Sequence, residues 1–131
     1  MIVDDNVDAA EVIAMLLEMF GHRTISLHDG LEVVEAARHF EPDVILLDVG
    51  LPGINGYQAA ALLREEALVE DTLLVAITGW GSDAHRRASR EAGFDVHLTK
   101  PVEAEALLEV LAMAHPRLLQ DGGAIRSNRL P

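Results

Sequence analysis

The sequence predicts an α/β domain in which five short parallel strands alternate with five helices. Three observations carry this reading. Short apolar runs alternate with amphipathic stretches from Ile2 to Ala114. The run Val44-Ile45-Leu46-Leu47 is continuously apolar, as expected of a strand covered on both faces. Four of the five expected strands end in a reactive polar residue.

Each element follows from its local pattern. Ile2-Val3 is a very short first strand that stops at Asp4-Asp5-Asn6. Ala9, Val12, Ile13, Leu16, Leu17 and Phe20 recur at helical spacing, and Gly21 is placed to end that helix. Arg23 to Leu27 alternates as a second strand. Leu31 to Phe40 reads as a second helix, stopped by Glu41-Pro42. The apolar third strand ends at Asp48, and Pro52-Gly53-Ile54-Asn55-Gly56 is turn chemistry before a helix from about Tyr57 to Glu66. Leu73 to Ile77 is a fourth strand ending at Thr78-Gly79, followed by a helix from Ser82 to Ala92 that closes at Gly93. Val96-His97-Leu98 is the last strand, before Lys100-Pro101. Glu103 to Ala114 is the final helix, with Leu107, Leu108 and Leu111 on its inner face. Residues 1–114 therefore form one domain, and 115–131, with Pro116, Gly122-Gly123 and Pro131, read as a linker or flexible tail.

Composition narrows the function. The chain has 131 residues, half of them apolar, enough for one real core. It carries 22 acidic against 10 basic residues, a net charge of −12, which disfavours direct binding to nucleic acid or to an anionic membrane. There is no cysteine, so disulfides, thiolate metal sites and cysteine nucleophiles are excluded. No apolar run approaches the ~20 residues of a membrane span, and the start does not resemble a signal peptide. The expected location is the cytoplasm.

Ligands of open α/β sheets bind at the carboxyl ends of the strands. A parallel sheet would bring Asp4-Asp5, Asp48, Thr78 and Lys100 to one rim. Each has an ordinary reading alone: Asp4 or Asp5 as a helix cap, Asp48 as a turn residue, Thr78 as a β-branched strand residue, Lys100 as a solvated charge. Their convergence outweighs those readings. Unit charges ~4 Å apart repel by roughly 4 kcal/mol at an effective dielectric near 20, so three carboxylates need a proton, a basic partner or a cation. An all-oxygen donor set favours a hard ion, and Mg²⁺ is the natural candidate. With a cation beside it, Asp48 could act as a nucleophile and form an acyl phosphate, with Lys100 and the Thr78 hydroxyl stabilising the phosphoryl oxygens.

At these residues the chain resembles the receiver domain family of two-component response regulators (CheY-like) over nearly everything from Ile2 to Ala114. The resemblance rests on Asp4-Asp5, Leu46-Leu47-Asp48-Val49-Gly50-Leu51-Pro52 with Gly56, Thr78-Gly79 and Lys100-Pro101, in this order and at these separations. It implies a flavodoxin-like sheet in the order 2-1-3-4-5. It also implies that Asp48 takes a phosphoryl group from a phosphohistidine on a histidine kinase or histidine phosphotransfer protein, without any separate enzymatic output. By the same analogy Asp5, Asp48 and the Gly50 carbonyl ligate Mg²⁺, Asp4 acts through a water, and Thr78 and Lys100 sense the phosphoryl group. The Lys100-Pro101 bond is expected to be cis. His97 stands where many relatives carry a switching Tyr or Phe, and phosphorylation is expected to repack the last two helices around it. The flavour around Thr78-Gly79-Trp80-Gly81 and Gly93 to His97 is that of receivers attached to hybrid sensor kinases.

Departures from the family carry expectations of their own. The first strand lacks several residues that relatives have before Ile2, which should weaken the sheet and suggests a fragment or a misassigned start. Gly50 and Trp80 occupy positions whose side chains tune phosphoaspartate hydrolysis in the family, so slow decay is expected. With no effector after Ala114, the output is expected in a partner or in a lost part of a longer chain, the domain itself being a monomer or weak homodimer. Arg86, Arg87 and Arg90 make one face of the fourth helix basic, a solvated face first and a partner contact second. His97 reads as partly buried packing, and His22, His28, His39, His85 and His115 as surface residues.

Three other readings compete. A haloacid-dehalogenase-type phosphatase needs a second Asp two residues after the nucleophile, where this chain has Gly50. A flavin-binding domain would meet repulsion from the acidic residues after the first strand. A receiver-like interaction module that works without phosphorylation rests only on the shortened first strand, and is the main alternative.

Overall fold

A computed structural model describes residues 1–66, 70–79 and 81–120, with only the backbone of 115–120 considered. Its strands are β1 (Ile2–Val3), β2 (Ser26–Leu27), β3 (Val44–Asp48), β4 (Leu73–Thr78) and β5 (Val96–Thr99). Its helices are α1 (Val7–Met19), α2 (Val33–Phe40), α3 (Gly56–Arg64), α4 (Asp83–Ala92) and α5 (Ala104–Gln120), with one 3₁₀ turn, Gly30–Glu32, leading into α2. The sheet is parallel throughout in the order β2-β1-β3-β4-β5, which is the flavodoxin-like order expected from the family resemblance.

The period of two along each strand divides the core into two layers. Ile45, Leu47, Leu74 and Ala76 meet Val33 and Ala37 of α2 and Ala59, Ala60 and Leu63 of α3. Leu46, Leu73, Val75 and Ile77 meet Ala10, Ile13 and Leu17 of α1 and Leu107, Val110 and Ala114 of α5. A central strand covered on both faces is buried along its length, and β4 is apolar from Leu73 to Ile77 before it ends at the buried Thr78.

Some boundaries differ from the sequence expectation. β2 is confined to Ser26–Leu27 instead of starting at Arg23. A ladder extends only as far as its partner, and β1 pairs through Ile2 and Val3 alone. A cavity of about 40 Å³ lies between Thr24 and Val44, bordered by Met1, His22, Asp43 and Leu111. The Met1 amino group donates to the Val44 carbonyl at 2.9 Å. Burial pushes this amine down to about 5, against the opposing charge of Asp43. His22, expected at the surface, is half-buried, with its Nδ1 enclosed and lacking a hydrogen-bond partner among the described residues. The second helix begins as the 3₁₀ turn because the Asp29 side chain caps Leu31 N–H, and α3 ends at Arg64. α5 continues to Gln120, so the stretch read as a linker from His115 begins as helix, while 121–131 and Trp80 lie outside the described residues.

Two devices fix the chain where it leaves β3 for α3. Asn55 and Gln58 form a reciprocal cap on α3, each side chain accepting the other's backbone N–H at 2.9 Å. Gly56 then lies against the chain leaving β3: a Cβ there would fall 2.5 Å from Val49 Cα and 2.7 Å from the Asp48 carbonyl oxygen. Only glycine permits that approach.

Candidate functional site

Asp4 directly follows β1, with Asp5 next to it, while Asp48 and Thr78 are the last residues of β3 and β4. The parallel register places Asp48 beside Ile77, and the Val49 N–H continues the ladder to the Ile77 carbonyl at 3.0 Å. Lys100 follows β5, its backbone N–H donating to the Thr78 carbonyl at 2.8 Å. The sheet thus brings Asp4, Asp5, Asp48, Thr78 and Lys100 to one rim. The Lys100-Pro101 bond is cis, as the resemblance implies.

Burial separates the acids. Asp4 is 2 % exposed and Asp48 7 %, whereas Asp5 faces solvent. One carboxylate oxygen from each lies within 4.8 Å of the others, a spacing that one cation could bridge. Asp4 Oδ1 accepts the Asn6 N–H at 2.9 Å, and Asp48 Oδ1 accepts the Gly50 N–H at 2.9 Å. Lys100 Nζ stands 3.1 Å from Asp48 Oδ2 and 3.9 Å from Asp4 Oδ2.

Electrostatics follow from this placement. Burial raises the Asp4 pKa above the usual carboxylate range, Asp48 adds to the rise, and the Asn6 amide and Lys100 oppose it. For Lys100, burial works to lower the pKa, but the hydrogen bond and charge of Asp48, with Asp4 and Asp5 behind it, raise it overall. Lys100 therefore stays cationic at neutral pH. The donor set is all oxygen, and its carboxylates fit a hard divalent cation. Asp48 is oriented through both oxygens, one by an amide and one by an ammonium, the preparation a carboxylate nucleophile needs.

Other residues fall differently. Asn6 caps α1, its side chain accepting from Ala9 N–H at 3.1 Å, so neither Asp4 nor Asp5 is spent as the cap. His97 does not join the cluster; half-buried on β5, it places Nδ1 2.9 Å from Ser89 Oγ of α4. Gly50 lies in the loop after β3, where a Cβ would meet only Asp48 Oδ1 at 3.5 Å, ordinary contact.

Four contributors have roles that the sequence reading did not assign. Asn6 was detectable as a favoured cap ahead of an apolar-periodic stretch. The close approach of Gly56, the His28 Nδ1–H donated to the Asp4 carbonyl at 2.9 Å, and the Ser89–His97 contact had no local signal. Each joins different elements.

Residues 1–112 match the family model of the response regulator receiver domain. Protein PilH of Pseudomonas aeruginosa is 32% identical over 111 residues, covering 85% of this chain and 92% of its own. Among solved structures, the chemotaxis protein CheY4 of Vibrio cholerae superposes with a TM-score of 0.81 at 25% identity, over 86% of this chain and 94% of its own. A response regulator from Burkholderia pseudomallei, solved with a phosphorylated aspartic acid, a calcium ion and citrate, gives 0.76 at 26% identity, over 92% of this chain and 71% of its own.

Proposed function

The chain belongs to the response regulator receiver domain family, a signalling family without a separate catalytic output, and on that premise we propose that Asp48 is its phosphoacceptor. The observation that supports this most directly is Asp48 Oδ2 at 3.1 Å from Lys100 Nζ, with Asp4 and Asp5 beside it. An Asp48 carboxylate oxygen attacks phosphorus in a phosphohistidine on a histidine kinase or phosphotransfer protein. The O–P bond forms as the P–N bond breaks, and the departing imidazole takes up a proton. Lys100 neutralises charge on the phosphoryl oxygens, and the buried Thr78 hydroxyl at the end of β4 turns toward them.

Asp4, Asp5, Asp48 and the Gly50 carbonyl would hold Mg²⁺. When bound, the ion offsets the repulsion between the acids and the incoming phosphoryl group. The phosphorylated aspartic acid and the cation in the Burkholderia pseudomallei relative support this reading by likeness. The movement of Thr78 shifts the population in which α4, β5 and α5 repack around His97. We place this switch in residues 1–114, acting in the cytoplasm as a monomer or weak homodimer. Among the described residues no helix is long and apolar enough to cross a membrane.

Intact mass after treatment with acetyl phosphate, with and without Mg²⁺ and beside Asp48→Ala, tests the proposal. One phosphoryl group should be gained, dependent on both Mg²⁺ and Asp48. No gain in folded protein would favour the phosphorylation-independent interaction module. The shortened β1 gives that alternative little support, since Ile2 and Val3 pair on both sides and still deliver Asp4 to the rim.

A further inference from the structure

The parallel sheet that carries Asp4, Asp48 and Lys100 to one rim also gathers residues at its opposite end, where the chain enters the strands. Met1 enters β1, Asp43 enters β3, and His22 lies on the approach to β2. Because β2, β1 and β3 are neighbours in that order, the three residues meet beneath the sheet. All three border the same cavity of about 40 Å³. Each carries a titratable group that phosphoryl transfer at Asp48 does not use.

The three groups are enclosed and electrically linked. His22 Nδ1 is enclosed and has no hydrogen-bond partner among the described residues, and Asp43 Oδ2 is enclosed as well. The buried Met1 amino group spends one hydrogen on the Val44 carbonyl, at 2.9 Å. The Asp43 charge acts on both the amine and the His22 ring, which sets the three within electrostatic reach of one another. Burial disfavours a proton on either nitrogen, pushing the amine down to about 5 and His22 below its usual range. At neutral pH both therefore keep a lone pair. The other walls offer these nitrogens nothing. Leu17, Leu46, Leu107 and Val110 are apolar, Arg23 lies over the Phe40 ring, and Thr24 Oγ1 donates to Glu18 at 2.8 Å.

We propose that the Met1 amine, His22 Nδ1 and the Asp43 carboxylate hold a borderline divalent ion, with Zn²⁺ the expected occupant, at the base of β1. Two neutral nitrogens and a carboxylate are donors that Zn²⁺ takes, unlike the all-oxygen set at the rim, which suits Mg²⁺. Ligands that are already unprotonated need not release protons as the ion enters. The cavity is a few times the ~10–15 Å³ that one water needs, so the ion can keep a water where the protein supplies no ligand. A water alone could satisfy the nitrogens, but only a cation also draws on the Asp43 charge. The site lies at the far end of the sheet from Asp48, so the inference goes beyond acceptance of phosphate there.

The test is titration calorimetry with Zn²⁺ at neutral pH, on the 131-residue chain with its Met1 amine free and with excess Mg²⁺ present to hold the acidic rim. One Zn²⁺ per chain should bind with a dissociation constant of about micromolar or tighter. Affinity should fall about tenfold or more in His22→Gln, in Asp43→Asn and on acetylation of the Met1 amine, and stay unchanged in Asp48→Ala. Zn²⁺ should also raise the melting temperature of the unmodified chain and leave that of the acetylated chain where it was. Acetylation alters no side chain, so it decides the matter even if a substitution impairs folding. Absence of stoichiometric binding to the folded protein would overturn the proposal in favour of a cavity that holds water alone. Binding that survives both His22→Gln and acetylation, or that is lost in Asp48→Ala, would overturn it in favour of another site.

Discussion

Lys100 Nζ and Asp48 Oδ2, 52 positions apart in sequence, lie 3.1 Å from each other at the ends of their strands. The ammonium already occupies part of the negative field that a divalent cation would use, since Asp4 Oδ2 is only 3.9 Å from it. Replacing Lys100 by Ala removes that competitor. Titration calorimetry with Mg²⁺ should give about fivefold tighter binding, on the order of 1 kcal/mol after screening of a partly exposed side chain. Weaker or unchanged binding would show that Lys100 does not compete with the ion.

Gly56 and Gly50 flank Asp48 with opposite tolerances. A Cβ on Gly56 would strike the Asp48–Val49 backbone at 2.5–2.7 Å, and backbone cannot swing aside as a side chain does. Gly56→Ala should lower unfolding stability by about 2 kcal/mol or more and depress phosphoryl uptake by displacing Asp48. Gly50→Ala should change stability by less than about 1 kcal/mol, because its Cβ meets only Asp48 Oδ1 at 3.5 Å. Urea melts of the two variants compare them directly.

The same opening beside Asp48 bears on the lifetime of the phosphorylated form. Without a polar side chain at Gly50, nothing from that position can orient a water toward the acyl phosphate. Gly50→Asn combined with Trp80→Glu should hasten its loss on the order of tenfold or more, followed by intact mass after removal of the phosphodonor. Equal decay in wild type and variant would defeat the expectation of a slow switch.

Beneath β1 the buried Met1 amine, pushed from 8.0 down to about 5, makes stability depend on pH. Between those values the unfolded chain binds a proton that the folded chain does not, so stability rises with pH from about 5 to 8. At about 1.4 kcal/mol per pH unit, the full span is roughly 4 kcal/mol. His22, also lowered by burial, acts in the same direction. Urea unfolding of protein starting at Met1 should show the rise, and acetylation of the Met1 amine should remove most of it. A slope that survives acetylation would assign the effect to His22 or another group.

Filling that cavity should also stabilise the sheet. An added extended segment of a few alternating apolar residues before Met1 would place a strand between Thr24 and Val44 and replace the buried amine by a peptide N–H. The melting temperature should rise by several degrees, on the order of 1–2 kcal/mol. No change would mean that the added residues do not enter the gap.

The α/β class, the alternation of elements and the polar residue closing each of four strands are legible in the amino acids alone. These are local properties: an apolar run must be buried, and in a parallel sheet every strand carries its last residue to the same rim. Asp4, Asp5, Asp48, Thr78 and Lys100 were therefore identifiable before any coordinate. The neighbours made in the fold shrink β2 to the length of β1, enclose His22, bring Ser89 to His97, and leave Arg87 and Arg90 without partners among the described residues. Each depends on which elements become neighbours and how closely they approach. The pairing of Lys100 with Asp48 in preference to Asp4 is likewise a matter of less than one ångström, set by the packing of three strands together.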